Sequence, residues 1–388
     1  MKNKLAVIHT ADWHLGKNRK HADYLEQQRM MLQAILDIVV ETIDDRSDSD
    51  VWLIVAGDVF DRNEDTGREE FVLPILHILY PLMEMKQKHS NFSFYFIDGN
   101  HDRQPYDPSD PNSQASVVSP LVKMAEGHIA VADPMYIDDK KLLLVPFGQH
   151  SVESLHSLLD EHPASFMVMH ECCAGITTDV GWKPPRDQDQ YIDIGKLLKG
   201  AQQLDAVFLG DIHRSQPLDG EGICVYSGSP VTLDHGHKMP KGVLIHDFEL
   251  KNDRWERSDE PELRSLLPYA PGLKIHVQLG VLDDTEVIPY STLAKYQTLY
   301  LQMTVSADVY ALIVQRLPDI FTSPNVSWEY KSEDIARAIP GDKSAEESQS
   351  DYYKPLIHQW VEDNGKELTT EDKAEAVALL MKDFAERS

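Results

Sequence analysis

The sequence predicts a layered α/β fold, followed by a small α+β unit and a helical hairpin tail. Three observations carry this. Over residues 1–250, apolar strand-like runs alternate with amphipathic helix-like stretches, the pattern of a layered α/β domain. From about Lys251 the character changes, and the segments lack the polar motifs that punctuate the first part. Segment 341–350, GDKSAEESQS, is almost free of apolar residues and reads as a flexible acidic linker.

The element order follows from these runs. Strands are expected at 5–9, 51–56, 92–97, 142–146, 166–170, 206–209, 223–226 and 243–247, with helices at 24–44 and 69–88. The polar stretches 107–114 and 181–190 contain prolines and read as loops, the second covering the mouth of a site. In 251–340, strands are expected at 274–279 and 298–305 and a helix at 306–317. In 351–388, Tyr353, Leu356, Ile357 and Trp360 fall on one helical face. Asn364-Gly365 supplies a stop, and Val377, Leu380, Met381 and Phe384 repeat the spacing. Such stripes either fold back onto the body or dock a partner's helix.

Composition narrows the class. A 42% hydrophobic content is ordinary for a globular chain, and no run of eighteen apolar residues predicts a membrane span. The first ten residues turn polar too soon for a secretory signal, so a cytoplasmic location is expected. Cys172, Cys173 and Cys224 form neither a disulfide framework nor a zinc-ribbon spacing. The net charge of -27 runs against the basic character usual in phosphate binders. A metal site gathers carboxylates, however, and reverses their sign locally when divalent cations bind.

Five clusters carry chemistry, each directly after an expected strand. They are Asp12-Trp13-His14, Gly57-Asp58-Val59-Phe60-Asp61, Gly99-Asn100-His101-Asp102, His170-Glu171 and Gly210-Asp211-Ile212-His213. In α/β folds, ligands gather outside the carboxyl ends of strands, so these loops are expected to converge. Hydrolysing a phosphodiester requires neutralising a non-bridging oxygen, activating water near neutral pH and protonating the leaving alkoxide. Two divalent cations about 3.5–4 Å apart serve the first two needs. Asp58 is the expected bridge; Asp12, His14 and His213 complete one metal, and Asn100, His170 and Asp211 the other. A mixed nitrogen and oxygen set without thiolate favours Mn²⁺, Fe²⁺ or Mg²⁺ over structural zinc. His101 is the candidate proton donor, and Asp61 the residue that holds its imidazole in the productive tautomer. Other chemistries fail: the fifth position of His170-Glu171-Cys172-Cys173-Ala174 is Ala174, so no zinc-protease motif forms, and neither a Walker-type loop nor a G-x-S-x-G elbow occurs.

These motifs resemble the calcineurin-like metallophosphoesterase superfamily and, within it, the SbcD-type nuclease subunits of break-repair complexes. The likeness rests on His9-Thr10-Ala11-Asp12-Trp13-His14-Leu15-Gly16, on the second and third clusters, and on Tyr226-Ser227-Gly228-Ser229-Pro230 followed by Lys241-Gly242-Val243. It implies a metallophosphatase-type sandwich of two mixed β-sheets flanked by helices, with 251–340 as a DNA-capping domain. It also implies a manganese-dependent DNA exo- and endonuclease that works as a homodimer. The helices of 351–388 are then expected to dock on a coiled-coil ATPase partner like SbcC. One departure stands out: Asp211 occupies the place where the family usually has a histidine. Basic residues flanking the motifs, Lys17, Arg19, Lys20, Arg62, Arg103 and Arg214, are expected DNA contacts; His235 and His237 could approach substrate. Two rivals share the motifs, a small-molecule metallophosphoesterase and a docking scaffold with a degenerate site.

Overall fold

The structure is a computed structural model describing residues 2–17, 24–61, 74–103, 116–148, 150–178, 191–233, 241–266 and the strands 273–278, 299–305 and 326–332. The chain divides into two compact units, Met1–Glu333 and Asp334–Ser388. The second unit, with the expected linker and hairpin tail, lies outside the described residues. So do the loops 107–114 and 181–190 and the expected helix 306–317.

Two sheets form the body. In the first, β1 (Lys4–Thr10), β2 (Asp50–Ala56), β3 (Phe92–Ile97) and β4 (Ile129–Ala130) run parallel. In the second, β5 (Met135–Ile137) joins antiparallel to β6 (Leu142–Val145), which continues parallel into β7 (Phe166–His170), β8 (Ala206–Gly210) and β10 (Cys224–Tyr226). The short β9 (Gln216–Pro217) closes that edge. β11 (Val243–Lys251) returns to the first sheet, antiparallel to β1. Both sheets are therefore mixed.

Helices cover the outer faces. α1 (Tyr24–Asp45) packs Met31, Leu32, Ile35 and Val39 into the core behind the first sheet. α2 (Tyr80–Lys88) follows a π-helical turn, Ile75–Leu79, where the sequence predicts a continuous helix. Pro81 has no amide to complete the ladder, and a widened turn before it absorbs the mismatch. The short α3 (Ser119–Val122) precedes β4. Behind the second sheet lie α4 (Val152–Glu161), started by a Ser151–Ser154 capping box, and α5 (Ile194–Gly200), capped by Asp193. Between the sheets, alternate residues interdigitate: Leu5, Val7, Trp52 and Ile54 from one, Leu142, Phe166, Val168 and Phe208 from the other. The Trp52 ring meets Phe166 edge-on at 5.3 Å across that interface. Strands covered on both faces read as unbroken apolar runs, which is why their positions are legible in the sequence.

The first sheet extends beyond residue 250. β12 (Arg254–Arg257) and β13 (Glu262–Arg264) both pair with β11, and Leu266 lies in the core. Their charged edge pattern, in which only Trp255 of β12 is buried, hides them from a hydropathy reading. Farther on, β14 (Leu273–Gln278), β15 (Leu299–Val305) and β16 (Val326–Ser332) make a separate parallel three-stranded sheet. No helix among the described residues is long and apolar enough to cross a membrane.

The inter-sheet core encloses two imidazoles. His9 and His246 are both fully buried against Phe208, at 5.2 and 5.3 Å between ring centroids. Burial lowers His9 to about 3 and His246 well below its ordinary value. A depressed folded-state pKa favours the neutral ring, so the stability it contributes is complete above 6.5 and is lost as pH falls toward 3. Chemical denaturation between pH 7 and 5 will therefore show His246→Leu gaining on the wild type, by about 1.4 kcal/mol per pH unit below the unfolded-state pKa.

Candidate metal centre

The motif loops leave the carboxyl ends of β1, β2 and β3 in one sheet and β7 and β8 in the other. The first two loops are zipped together by backbone. The Asp12, His14 and Leu15 amides donate to the Gly57, Asp58 and Val59 carbonyls at 3.0, 3.0 and 2.9 Å, and the Asp61 amide donates back to Leu15 at 2.9 Å. This pairing holds side chains in a region L-residues rarely adopt: Asp12, His14 and Asp58 have φ of 55, 46 and 53°. Each such residue stores roughly 1–3 kcal/mol of strain, a cost that clusters at functional sites. Space is equally tight. A Cβ on Gly57, itself at φ 87°, would lie 2.2 Å from His170 Nδ1, and one on Gly210 would lie 1.8 Å from the Ala56 carbonyl oxygen.

Three overlapping donor sets result: Asp12, His14 and His213; His14, Asp58 and His101; Asp12, Asp58 and His170. Within each, one ligand atom per residue lies within 4.8 Å of the others. His14 donates from Nδ1 to the Asp61 carboxylate at 3.1 Å, leaving Nε2 aimed at His213 Nε2, 3.0 Å away. His170 donates from Nδ1 to the Ala56 carbonyl at 2.7 Å, so Nε2 faces Asn100 Oδ1 at 2.9 Å and Asp58 Oδ1 at 3.3 Å. Asp12 Oδ2 is fully buried and without a hydrogen-bond partner. Two imidazole nitrogens turned on each other beside an orphaned carboxylate oxygen make an arrangement that a divalent cation satisfies. The residues present fit such a metal.

The calcineurin-like phosphoesterase family matches residues 5–215. The chain belongs to that family. A divalent-metal-dependent phosphoesterase activity follows from the membership and the donor set. Among curated relatives, the DNA double-strand break repair protein Mre11 of Methanosarcina mazei is 27% identical over 63% of this chain and 36% of its own length. An SbcCD nuclease subunit from Escherichia coli K12 is 23% identical over 80% of each chain. The corresponding SbcCD nuclease subunit from Staphylococcus epidermidis is 21% identical over 92% of this chain and 94% of its own. The chain thus spans about a third of the Mre11 relative. A solved archaeal phosphodiesterase covers 66% of this chain at 10% identity with a TM-score of 0.26, too slight a likeness to carry an argument.

In this phosphoesterase the electrostatics divide by position. Burial opposes ionisation of Asp58, yet His170, hydrogen-bonded and charged beside it, and His14 hold its carboxyl well below the usual range. Burial raises Asp12 strongly, reinforced by the Asp58 and Asp211 charges, and raises Asp211 as well. His170 is raised well above its ordinary value because Asp58, Asp12 and Asp211 outweigh the burial that disfavours its charge.

Several expected residues take other partners. His101 donates from Nδ1 to the Asp61 backbone carbonyl and from its amide to Asp58 Oδ1 at 2.9 Å. The Asp61 carboxylate, expected to hold His101, turns instead to His14, with Lys17 Nζ at 3.7 Å. Asp211 belongs to none of the three sets; its Oδ1 is 3.9 Å from His170 Nε2, and its amide donates to Asp12 Oδ1 at 3.1 Å. Arg103, one of the expected DNA contacts, is paired within the chain. Its guanidinium is only 14% exposed and is engaged by Asp98 at 2.8 and 3.1 Å. Arg214 is half-buried, while Arg19, Lys20, Arg62, His235 and His237 lie outside the described residues.

The sequence offers no role for Asp102 within its motif, and the structure gives it one. Fully buried, it accepts the Val59, Phe60 and Gly99 amides at 3.2, 2.8 and 2.9 Å, binding the second loop to the third. Burial pushes its carboxyl up to about 8. Glu171 accepts the Gly148 amide at 3.1 Å and is pushed up to about 7 by burial. Burial also raises the Cys172 thiol to about 12, which makes a redox role for the vicinal cysteines chemically poor.

Burial and neighbouring charge raise the Asp12 and Asp211 carboxyls, so a cation competes with protons there and apparent Mn²⁺ affinity will rise with pH. Calorimetric titration in buffers of different ionisation enthalpy will record the net proton release. Gly57→Ala, which drives a methyl into His170, will weaken Mn²⁺ binding by about 10- to 100-fold in the same titration.

Proposed function

We propose that this chain is a DNA exo- and endonuclease, the nuclease subunit of an SbcCD-like complex, hydrolysing phosphodiester bonds at a two-metal site. The observation that carries the reading is the trio of donor sets at the joint between the sheets, linked pairwise because Asp12, His14 and Asp58 each belong to two of them. The two SbcCD nuclease relatives, aligned over 80% and 94% of their own lengths, support the substrate and the assembly. In this reading Asp12, His14 and His213 would hold one cation and Asn100, His170 and Asp211 the other, with Asp58 available to both. The absence of thiolate favours Mn²⁺, with Mg²⁺ or Fe²⁺ as alternatives.

Bound divalent cations supply charge neutralisation at the phosphate and activation of water. The chain's own residues do the rest. Asp61 orients His14 through its carboxylate and fixes His101 as the Nδ1–H tautomer through its carbonyl. With Nδ1–H so engaged, His101 Nε2 is the atom that takes up a proton, giving the imidazolium, and passes it to the leaving oxygen. Asp102 keeps the loops bearing Asp58 and His101 in register. Of residues 251–340, those beyond the strands that complete the first sheet act as a DNA-capping domain; 341–350 act as a linker, and 351–388 as the segment that docks a coiled-coil ATPase in a cytoplasmic, homodimeric assembly.

The test is degradation of end-labelled linear duplex by metal-stripped chain with Mn²⁺ or Mg²⁺ restored. Mn²⁺-dependent degradation that disappears in Asp58→Ala and falls by about 10²–10⁴-fold in His101→Ala is the expected result. Turnover of a nitrophenyl phosphodiester without any action on DNA, with or without an added ATPase partner, would instead make this a small-substrate enzyme.

A further inference from the structure

The loop that carries Asn100 and His101 is closed on itself by an ion pair. Asp98 ends the β3 segment with a carboxylate that is fully buried. Arg103, five residues on, meets it with both arms of its guanidinium fork, Nε to Oδ2 at 2.8 Å and an outer nitrogen to Oδ1 at 3.1 Å. Backbone bonds complete the closure, with the Arg103 amide donating to the Asn100 carbonyl at 3.4 Å and the Asp98 amide to Ala130 at 3.3 Å.

The same pair reaches the other sheet. The Arg103 guanidinium lies 5.8 Å from the centroid of the Phe147 ring, which follows β6 in the second sheet. The Phe147 amide donates to the Asp98 carbonyl at 3.1 Å. Its ring meets the His170 imidazole edge-on, with centroids 6.2 Å apart. One arginine therefore joins the loop holding Asn100 and His101 to the aromatic ring that backs His170.

We infer that the Asp98–Arg103 pair is a positioning clasp, which sets Asn100 and His101 from one sheet against His170 from the other. The inference rests on the metal-centre reading above and takes Arg103 out of the DNA-binding surface. Arg103 touches neither substrate nor metal in this role; it acts through the Asn100 loop and Phe147. A bidentate fork over an aromatic face is a geometry that lysine does not reproduce.

The test uses the full chain and three readouts: calorimetric Mn²⁺ titration, steady-state turnover of bis-nitrophenyl phosphate, and duplex DNA binding against salt. Arg103→Met and Asp98→Asn will each weaken Mn²⁺ binding by about 10- to 100-fold. Both will lower kcat for the small diester without raising KM, and both will leave DNA affinity and its salt dependence unchanged. The double variant Asp98→Asn/Arg103→Met will lose no more than the worse single variant, and Arg103→Lys will recover only part. Should Arg103→Met fail to fold with a buried carboxylate unpaired, the double variant, which leaves no charge behind, gives the same reading. Weaker DNA binding with a salt slope reduced by about one and intact Mn²⁺ affinity would overturn the clasp and restore Arg103 as a phosphate contact. Unchanged Mn²⁺ affinity and kcat would overturn it as well. A wild-type chain that binds Mn²⁺ but attacks no DNA would sink the nuclease reading, while the Mn²⁺ titration still decides the clasp.

Discussion

The Asp58 carboxylate, ionised inside a sandwich of hydrocarbon, is the constraint on which the rest of the site depends. A buried charge of this kind is tolerated only where compensating groups are fixed around it. Here they are the His170 and His14 rings and the His101 amide, drawn from loops of both sheets. The two β-sheets thus meet at their carboxyl ends around one negative centre, and the hydrophobic interdigitation behind it sets the spacing.

The first two loops around that centre are held together by backbone. The first loop is laid along the second by four amide–carbonyl bonds, and Asp12, His14 and Asp58 are forced into left-handed conformations as a result. Strain of this sort persists because the packed strands on either side overdetermine the turn. Glycine at 57 and 210 is required for a different reason, since His170 and the Ala56 carbonyl occupy the space a side chain would need. The same crowding brings both imidazoles to fixed tautomers through Ala56 and Asp61.

The strongly acidic balance of the chain takes on a local meaning in this setting. Burial and mutual repulsion raise the Asp12 and Asp211 carboxyls, and a cation placed among them would relieve both. Arg103, beside the third motif, is paired with the buried Asp98. A divalent cation bound among the carboxylates would bring positive charge to a phosphate.

Hydropathy alone locates the principal strands of both sheets, because strands covered on both faces must be apolar throughout. The motif residues are equally legible, since Asp, His and Asn directly after such strands have few structural reasons to be there. The charged edge strands β12 and β13 escape, as does the π-turn before Pro81, because neither leaves a periodic apolar signal. Pairing within the site is also beyond the sequence. That Asp61 serves His14 with its carboxylate and His101 with its carbonyl, that Asp102 stitches two loops, and that Arg103 turns inward to Asp98 all depend on separations across the chain that folding alone sets. Residue type dictates which chemistry a side chain can do; only the packing of the two sheets decides which atom it does it to.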